Sequence, residues 1–289
     1  MATTITAQMV KQLRDQTGAG MMECKAALTE ANGDFEEANT ILRKRGLATA
    51  AKKAGRATSE GLIAHRVSSD GRTGILAEVN CESDFVARTD DFQTLMEDVL
   101  TLIGEAGDTA TDAWLQDPNG PVKLRVAAAI GKMGENMAVP RFVRYAGAGH
   151  VGQYIHLGGK LGVQVEFSGV TPEVAAREEF ATLVKEIAMQ VAAASPSYVA
   201  RGEVPADVLD KERSIYRAQT EGSGKPANVI DKIVEGKLGS FYAQVVLTEQ
   251  PWVREPKQTI ADVVAGANRT LGAQVAITRF ARLRVGDAS

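Results

Sequence analysis

The 289 residues carry 44% hydrophobic and 24% charged side chains with a formal net charge of -3. That is enough apolar content for a sizeable core, without the global positive excess that nucleic-acid binding uses. Cys24 and Cys81, the only cysteines, are too few for a disulfide framework and lack the paired spacing of a zinc site; no apolar run approaches membrane-spanning length, and residues 1–6 carry no secretory or transit signature, so a cytoplasmic protein is expected.

In chain order, Thr6 is placed to cap a short helix carrying Val10 and Leu13, which Gly18-Ala19-Gly20 breaks before an Ala-rich helix from about Met21 to Ala31. Asn32-Gly33 ends that second helix. Asp34 and Glu37 have capping-box spacing, and Phe35, Ala38, Ile41 and Leu42 give a third helix an apolar face that closes at Gly46. Residues 1–46 therefore read as a small three-helix domain. Adjacent Met21 and Met22 point in different directions on a helix, so at least one is expected at the surface, either as adaptable contact area or as an ordinary exposed side chain. Between Arg43 and Arg56 lie Arg43, Lys44, Arg45, Lys52, Lys53 and Arg56 with no acidic residue. Residues 47–60 read as a basic linker, either solvated, as such runs most often are, or touching RNA or an acidic protein face, with no aromatic for stacking bases.

An internal repeat follows. Residues 71–79 (GRTGILAEV) match residues 159–167 (GKLGVQVEF) at an offset of 88, and Gly61 and Gly149 obey the same offset. So do Phe92, Leu95, Met96, Val99 and Ile103 with Phe180, Leu183, Val184, Ile187 and Val191, at helical spacings that put one apolar stripe on each helix. The expected fold is α+β: a duplicated antiparallel hairpin-plus-helix core, with subdomains at residues 61–145 and 146–289.

Where the first copy's apolar strand runs out, residues 78–88 (EVNCESDFVAR) turn toward the long helix and place a carboxylate, Asp84, beside an aromatic, Phe85. Phe85 either plugs the core or projects as a wedge. The repeat favours projection, because the offset of Asp84-Phe85 is Pro172-Glu173, with no aromatic to close a shared core.

Between the copies, Asp112 to Asn119 reads as loop, Pro121 opens a helix to about Lys132, and Met137 to Tyr145 reads as a strand made irregular or peripheral by Pro140. After Pro196, two amphipathic segments, Pro205 to Gln219 and Pro226 to Leu238, flank Glu221-Gly222-Ser223-Gly224-Lys225. They form an antiparallel helical hairpin, an arm over residues 205–240 inserted in the second subdomain, with the sheet resuming at Ala243 to Leu247. A helix around Thr259 to Asn268 and a strand from Val275 to Val285 follow.

Few residues suggest chemistry. Gly147-Ala148-Gly149-His150-Val151-Gly152 has dinucleotide-fingerprint spacing, but alternating Gln153 to Leu157 reads as a strand where a helix is needed. Gly222-Ser223-Gly224-Lys225 lacks the first glycine and the magnesium-binding hydroxyl of a phosphate loop. His65, His150 and His156 have no adjacent nucleophile or metal spacing, so no catalytic, metal or cofactor site is expected.

Thr17-Gly18-Ala19-Gly20-Met21-Met22 with Cys24-Lys25-Ala26-Ala27-Leu28 and Glu30-Ala31-Asn32-Gly33-Asp34, and then Asn80-Cys81-Glu82-Ser83-Asp84-Phe85-Val86-Ala87, resemble the two signatures of the elongation factor Ts family. Tyr154 with His156, Gly162-Val163, Gly224-Lys225-Pro226 and residues 233–237 extend the likeness along the chain. The resemblance implies a non-enzymatic nucleotide exchange factor for the GTPase elongation factor Tu, with an amino-terminal helical domain, a two-subdomain core and a coiled-coil arm. It further implies that the Asp-Phe pair, here within Ser83, Asp84, Phe85 and Val86, wedges into the GTPase near its magnesium ion. The surface around Arg14, Met21 and Met22 is implied to dock on the nucleotide domain, and His156 to face the GTPase from the second subdomain. No direct nucleic-acid or membrane partner is implied, and a dimer or a heterotetramer with elongation factor Tu is compatible with the arm. Ser83 departs from the family's common Thr, and some members continue after the last strand into a further helical module.

Overall fold

In the computed structural model, which describes residues 4–221 and 226–287, helix α1 (Ala7–Thr17) starts where the Thr6 hydroxyl accepts the Met9 amide at 3.2 Å. It ends at Gly18, whose left-handed φ of 67° disfavours a side chain. Helix α2 (Met21–Glu30) closes through Asn32-Gly33, and α3 (Phe35–Lys53) starts where Asp34 Oδ1 accepts the Glu37 amide. Val10, Leu13, Cys24, Leu28, Ala38 and Ile41 bury together between the three helices.

Helix α3 does not close at Gly46 but runs to Lys53, so the first half of the expected linker is helix. Two physical reasons explain the difference. The run Leu47-Ala48-Thr49-Ala50-Ala51 is dominated by the best helix former. Gly46 is also a contact: a side chain there would begin 3.4 Å from the Ala127 carbonyl of helix α7 (described below), and Gly131 of the same helix lies against the Gly46 Cα.

The first copy of the repeat is β1 (Glu60–Val67) paired antiparallel with β2 (Thr73–Cys81), then a single turn, α4 (Asp84–Ala87), then α5 (Asp90–Ala106). The segment read as loop contains α6 (Asp112–Gln116), capped by the Thr111 hydroxyl and pinned by buried Leu115. Helix α7 (Pro121–Met133) leads to β3 (Met137–Ala138) and β4 (Phe142–Ala146), which pair with β2 on either side of an interruption at Pro140.

The second copy is β5 (His150–His156), β6 (Leu161–Ser168), the turn α8 (Pro172–Ala175) and α9 (Glu178–Ala194). Helices α4 and α5 fall on α8 and α9 at the repeat offset of 88 residues. Phe92, Leu95, Val99 and Ile103 are buried beneath one sheet, and Phe180, Leu183, Ile187 and Val191 beneath the other. The sheets stack face to face through Ile63, Leu76 and Leu283, giving four layers, helix, sheet, sheet, helix. Gly74 and its repeat mate Gly162 allow this approach: a Cβ would lie 2.4 Å from Val151 at the first and 2.6 Å from Ile63 at the second.

Helices α10 (Ala206–Glu221) and α11 (Ala227–Val245) form the arm, burying Ile230, Val234 and Leu238 with Tyr216; Arg217 pairs with Asp231 at 2.6 Å across them. The turn read from Gly222-Ser223-Gly224-Lys225 lies outside the described residues. The strand expected at Ala243 to Leu247 is not formed. That run continues α11 to Val245, and Val246, buried beside Leu247, makes only an isolated bridge to Tyr198, because the end of an already formed helix carries the chain straight into the core. Strands β7 (Pro251–Trp252) and β8 (Glu255–Thr259), helix α12 (Ile260–Leu271) and β9 (Ala276–Arg284) follow, with β9 completing the order β5-β6-β9.

Two buried glutamates at equivalent repeat positions tie the layers. Glu78 accepts Arg141 Nε at 2.8 Å and the Gly286 amide at 2.9 Å, while Arg141 also reaches the Arg284 carbonyl. Glu166 accepts the Arg279 guanidinium, which lies 4.0 Å over the Tyr145 ring of the other sheet. Each buried carboxylate thus has a cation, as its burial requires.

Because the arm buries its apolar stripe within itself, replacing residues 207–237 with a short Gly-Ser turn is expected to preserve a single cooperative thermal transition in calorimetry. Aggregation of the shortened protein would show that the arm covers core surface.

Candidate partner-docking site

Strand β2 ends at Cys81, and Ser83, extended at φ -125°, caps α4 by accepting the Val86 amide at its hydroxyl. One turn cannot bury all its side chains. Ala87 is 2% exposed and Val86 packs half-buried on the first core, so Phe85 faces outward at 79% exposure. The second copy repeats this turn: Thr171 caps α8, Val174 is buried, and exposed Glu173 occupies the Phe85 position. The core is plugged by Val86 and Ala87, and Phe85 is left projecting. Burying a Phe is worth about 1.5–3 kcal/mol, so its exposure is a feature that folding alone does not favour.

The projecting turn stands on a rigid base. Glu135, in the link after α7, accepts Ser83 Oγ at 2.6 Å and the Ser83 amide at 3.0 Å. Its neighbour Asn136 donates its amide to Glu82 and its side-chain NH2 to the Arg56 carbonyl. Asp84 accepts Arg88 at 2.8 Å, both side chains being well exposed, so this pair adds little stability and opens readily. Beneath the turn the Cys81 thiol donates to the Ser83 carbonyl; burial first, then the nearby Glu135 carboxylate, pushes its pKa up to about 11.

The amino-terminal residues lie beside the same corner. Met21 and Met22 open α2 at 45% and 74% exposure, and Arg14 is exposed. Arg14, Gly18, Met21 and Lys132 line one shallow hollow, and Lys132 pairs at 2.7 Å with Asp91, at the start of α5 just past the Phe85 turn.

His156 ends β5, exposed, with its Nδ1 2.8 Å from the Tyr154 hydroxyl and the two rings stacked. Leu157, beside it, is 58% exposed and holds φ at 53°, a left-handed conformation that strains a non-glycine residue. This tip is fastened to the first copy, since Lys160 forms an ion pair with Glu60, which stands opposite Cys81 in the β1–β2 register. Ser83 to Val86, Arg14 with Met21 and Met22, and His156 are thereby brought to one end of the stacked sheets. Sequence reasoning missed Leu157, whose exposure has no local signature, and Glu135, which lies 52 residues from Ser83.

Other candidates are disposed of by their surroundings. Gly149 immediately precedes strand β5 rather than a helix, and a side chain on it would meet Glu166, so no phosphate cradle forms there. His150 stacks edge-on against Phe180, and burial holds its pKa below the usual value. Among the described residues, no group of three or more His, Cys, Asp or Glu side chains is placed to hold a metal ion, and no helix is long and apolar enough to cross a membrane.

The raised thiol gives a pH dependence. A folded-state pKa above the unfolded value of 9.0 adds stability that is fully present below pH 9 and is lost as pH climbs toward 11. The fall in melting temperature over that window is expected to be smaller in Cys81→Ala than in the parent; equal falls would assign the loss to other groups, such as Tyr145, whose pKa burial raises to about 12.

Residues 82–287 match the family model described as Elongation factor TS. Proteins named Elongation factor Ts are similar along nearly the whole chain. That of Trichlorobacter lovleyi is 42% identical over 98% of this chain and 93% of its own, that of Aquifex aeolicus 42% over 99% of each, and that of Symbiobacterium thermophilum 44% over 98% and 92%. A family match over most of the chain and relatives alike from end to end agree: the chain belongs to the elongation factor Ts family of translation elongation factors.

Proposed function

We propose that this chain is a guanine-nucleotide exchange factor: it binds elongation factor Tu carrying GDP in the cytoplasm and promotes GDP release, without itself catalysing a covalent change. The observation that carries the reading is Phe85, a large apolar ring exposed on a braced turn, beside a carboxylate whose exposed ion pair with Arg88 opens easily.

In this reading Phe85 enters the GTPase beside its magnesium site and displaces packing there, while Asp84 leaves Arg88 and disturbs the charge and hydrogen bonding around the ion and the phosphates. Exchange is reciprocal, so a factor that weakens nucleotide binding is itself bound less tightly, by the same ratio, when nucleotide is present. A ten-thousandfold ratio corresponds to about 5.5 kcal/mol, whereas one Phe transferred from water supplies about 1.5–3 kcal/mol. Several contacts must therefore favour the nucleotide-free state together. Met21, Met22, Arg14, His156 and Leu157, at the same end as Phe85, are the groups available to hold the wedge in place and add to its effect.

With fluorescent GDP in a stopped-flow instrument, Phe85→Ala and Asp84→Ala are each expected to slow GDP release at saturating factor far more than they weaken binding to the nucleotide-free GTPase. Release at the parent rate by both would reject the wedge. A second variant separates docking from folding: Leu157→Gly relieves the left-handed strain, so its melting temperature should not fall, while its affinity for the GTPase should. Unchanged affinity would remove Leu157 from the docking surface.

A further inference from the structure

The six residues 131–136 together touch α3, the start of α5 and the turn after β2. Gly131 lies against Gly46 of α3, Lys132 pairs with Asp91, and Met133 meets the Thr89 hydroxyl that caps α5. The Gly134 carbonyl accepts Lys53 at the end of α3, Glu135 takes both hydrogen-bond donors of Ser83, and Asn136 binds Glu82 and Arg56. Gly134 makes the corner possible: at φ 78° it ends α7 in a left-handed turn that sends Glu135 back across the end of β2.

From this geometry we propose that Glu135 is the positioning residue of the Asp84-Phe85 wedge, an inference that rests on the exchange-factor reading above. A carboxylate holding the backbone amide and the hydroxyl of the same residue restrains that residue at two points, through charge-assisted bonds with separate directions that add geometric specificity as well as strength. Phe85 lies two residues on, in a turn too short to set its own orientation. The second copy supplies the comparison. There the cap Thr171 is engaged locally by Glu173, whose pKa that hydrogen bond lowers, and the turn carries no projecting aromatic. If the brace served only to close the turn, both copies would need it. It occurs where a side chain has to be aimed, and its carboxylate comes from the corner that α3 and α5 also grip, so the aim is set relative to both the amino-terminal domain and the first subdomain.

The experiment is the saturating rate of fluorescent GDP release from the GTPase with the full-length factor, read separately from the half-saturating concentration. Misplacing a reacting group by about 1 Å costs about a hundredfold in rate, and a misaimed wedge is expected to lose rate in the same sense. Glu135→Ala is accordingly expected to lower the saturating rate at least tenfold, an order-of-magnitude figure on the same basis, with little change in half-saturation. Glu135→Gln, which keeps an acceptor, should recover most of the rate. In a Phe85→Ala background, Glu135→Ala should cost nothing further, since it acts through the ring. Ser83→Ala tests the same brace from the other side and should slow release in the same sense. A rise in half-saturation alone, or a loss of equal size with and without Phe85, would reduce Glu135 to a structural residue and overturn the proposal. A parent-like Glu135→Ala beside a slow Phe85→Ala would remove this inference alone, whereas a parent-like Phe85→Ala would remove the wedge and this inference together.

Discussion

The close approach of two β-sheets at Gly74 and Gly162 is the constraint on which the remaining structure depends. With a methyl at either position the sheets would have to separate, and Ile63, Leu76 and Leu283 between them would lose contact. The same approach brings Arg279 over Tyr145 and lets Arg141 reach the Arg284 carbonyl, so two duplicated units behave as one body. Only in one body do the Phe85 turn of the first copy and the His156-Leu157 tip of the second keep a fixed separation. A partner engaging both then meets a preorganised surface and loses less entropy than one that must order two loops independently.

Much of this was legible in the sequence because the duplication imposes the same physics twice. Gly74 with Gly162, Glu78 with Glu166, and the stripes of α5 and α9 recur at one offset, since each pair solves the same packing problem. The break in that symmetry at Phe85 was equally readable, and it marked the candidate site. What failed to show in the sequence depends on distant partners. Gly46 has the composition of a helix stop, yet it serves as a crossing point whose meaning lies in Ala127 and Gly131. The apolar run at residues 243–247 has strand-like residues, but a preceding helix and a buried destination decided its conformation. Glu135 is one polar residue in a loop until Ser83 arrives from 52 residues earlier.

Asymmetry between the copies also shows how a docking surface arises on a duplicated scaffold. Core positions are held in both copies by the layer they bury, whereas the exposed position of α4 and α8 is free to differ, aromatic in one and acidic in the other. In the proposed reading, most of the docking surface flanks the first copy: the methionines of α2, the corner after α7, and Phe85. The second copy contributes a hairpin tip, anchored by Lys160 to Glu60.

The capture of the Gly286 amide by Glu78 links residues 208 positions apart, and this bears on the order in which a growing chain folds. Emerging from a ribosome, the first three helices, the first hairpin and α5 have their local partners early. Glu78 has its cation Arg141 once β4 is near, but it lacks the Gly286 amide until the residues after β9 are made, and β6 has only one neighbour for the same interval. Long-range pairings of this kind are slow, because a large loop must close before any contact rewards it. The second sheet and the junction between the copies are therefore the last parts to set, and the docking end becomes a single rigid face only when the final residues of β9 have left the ribosome.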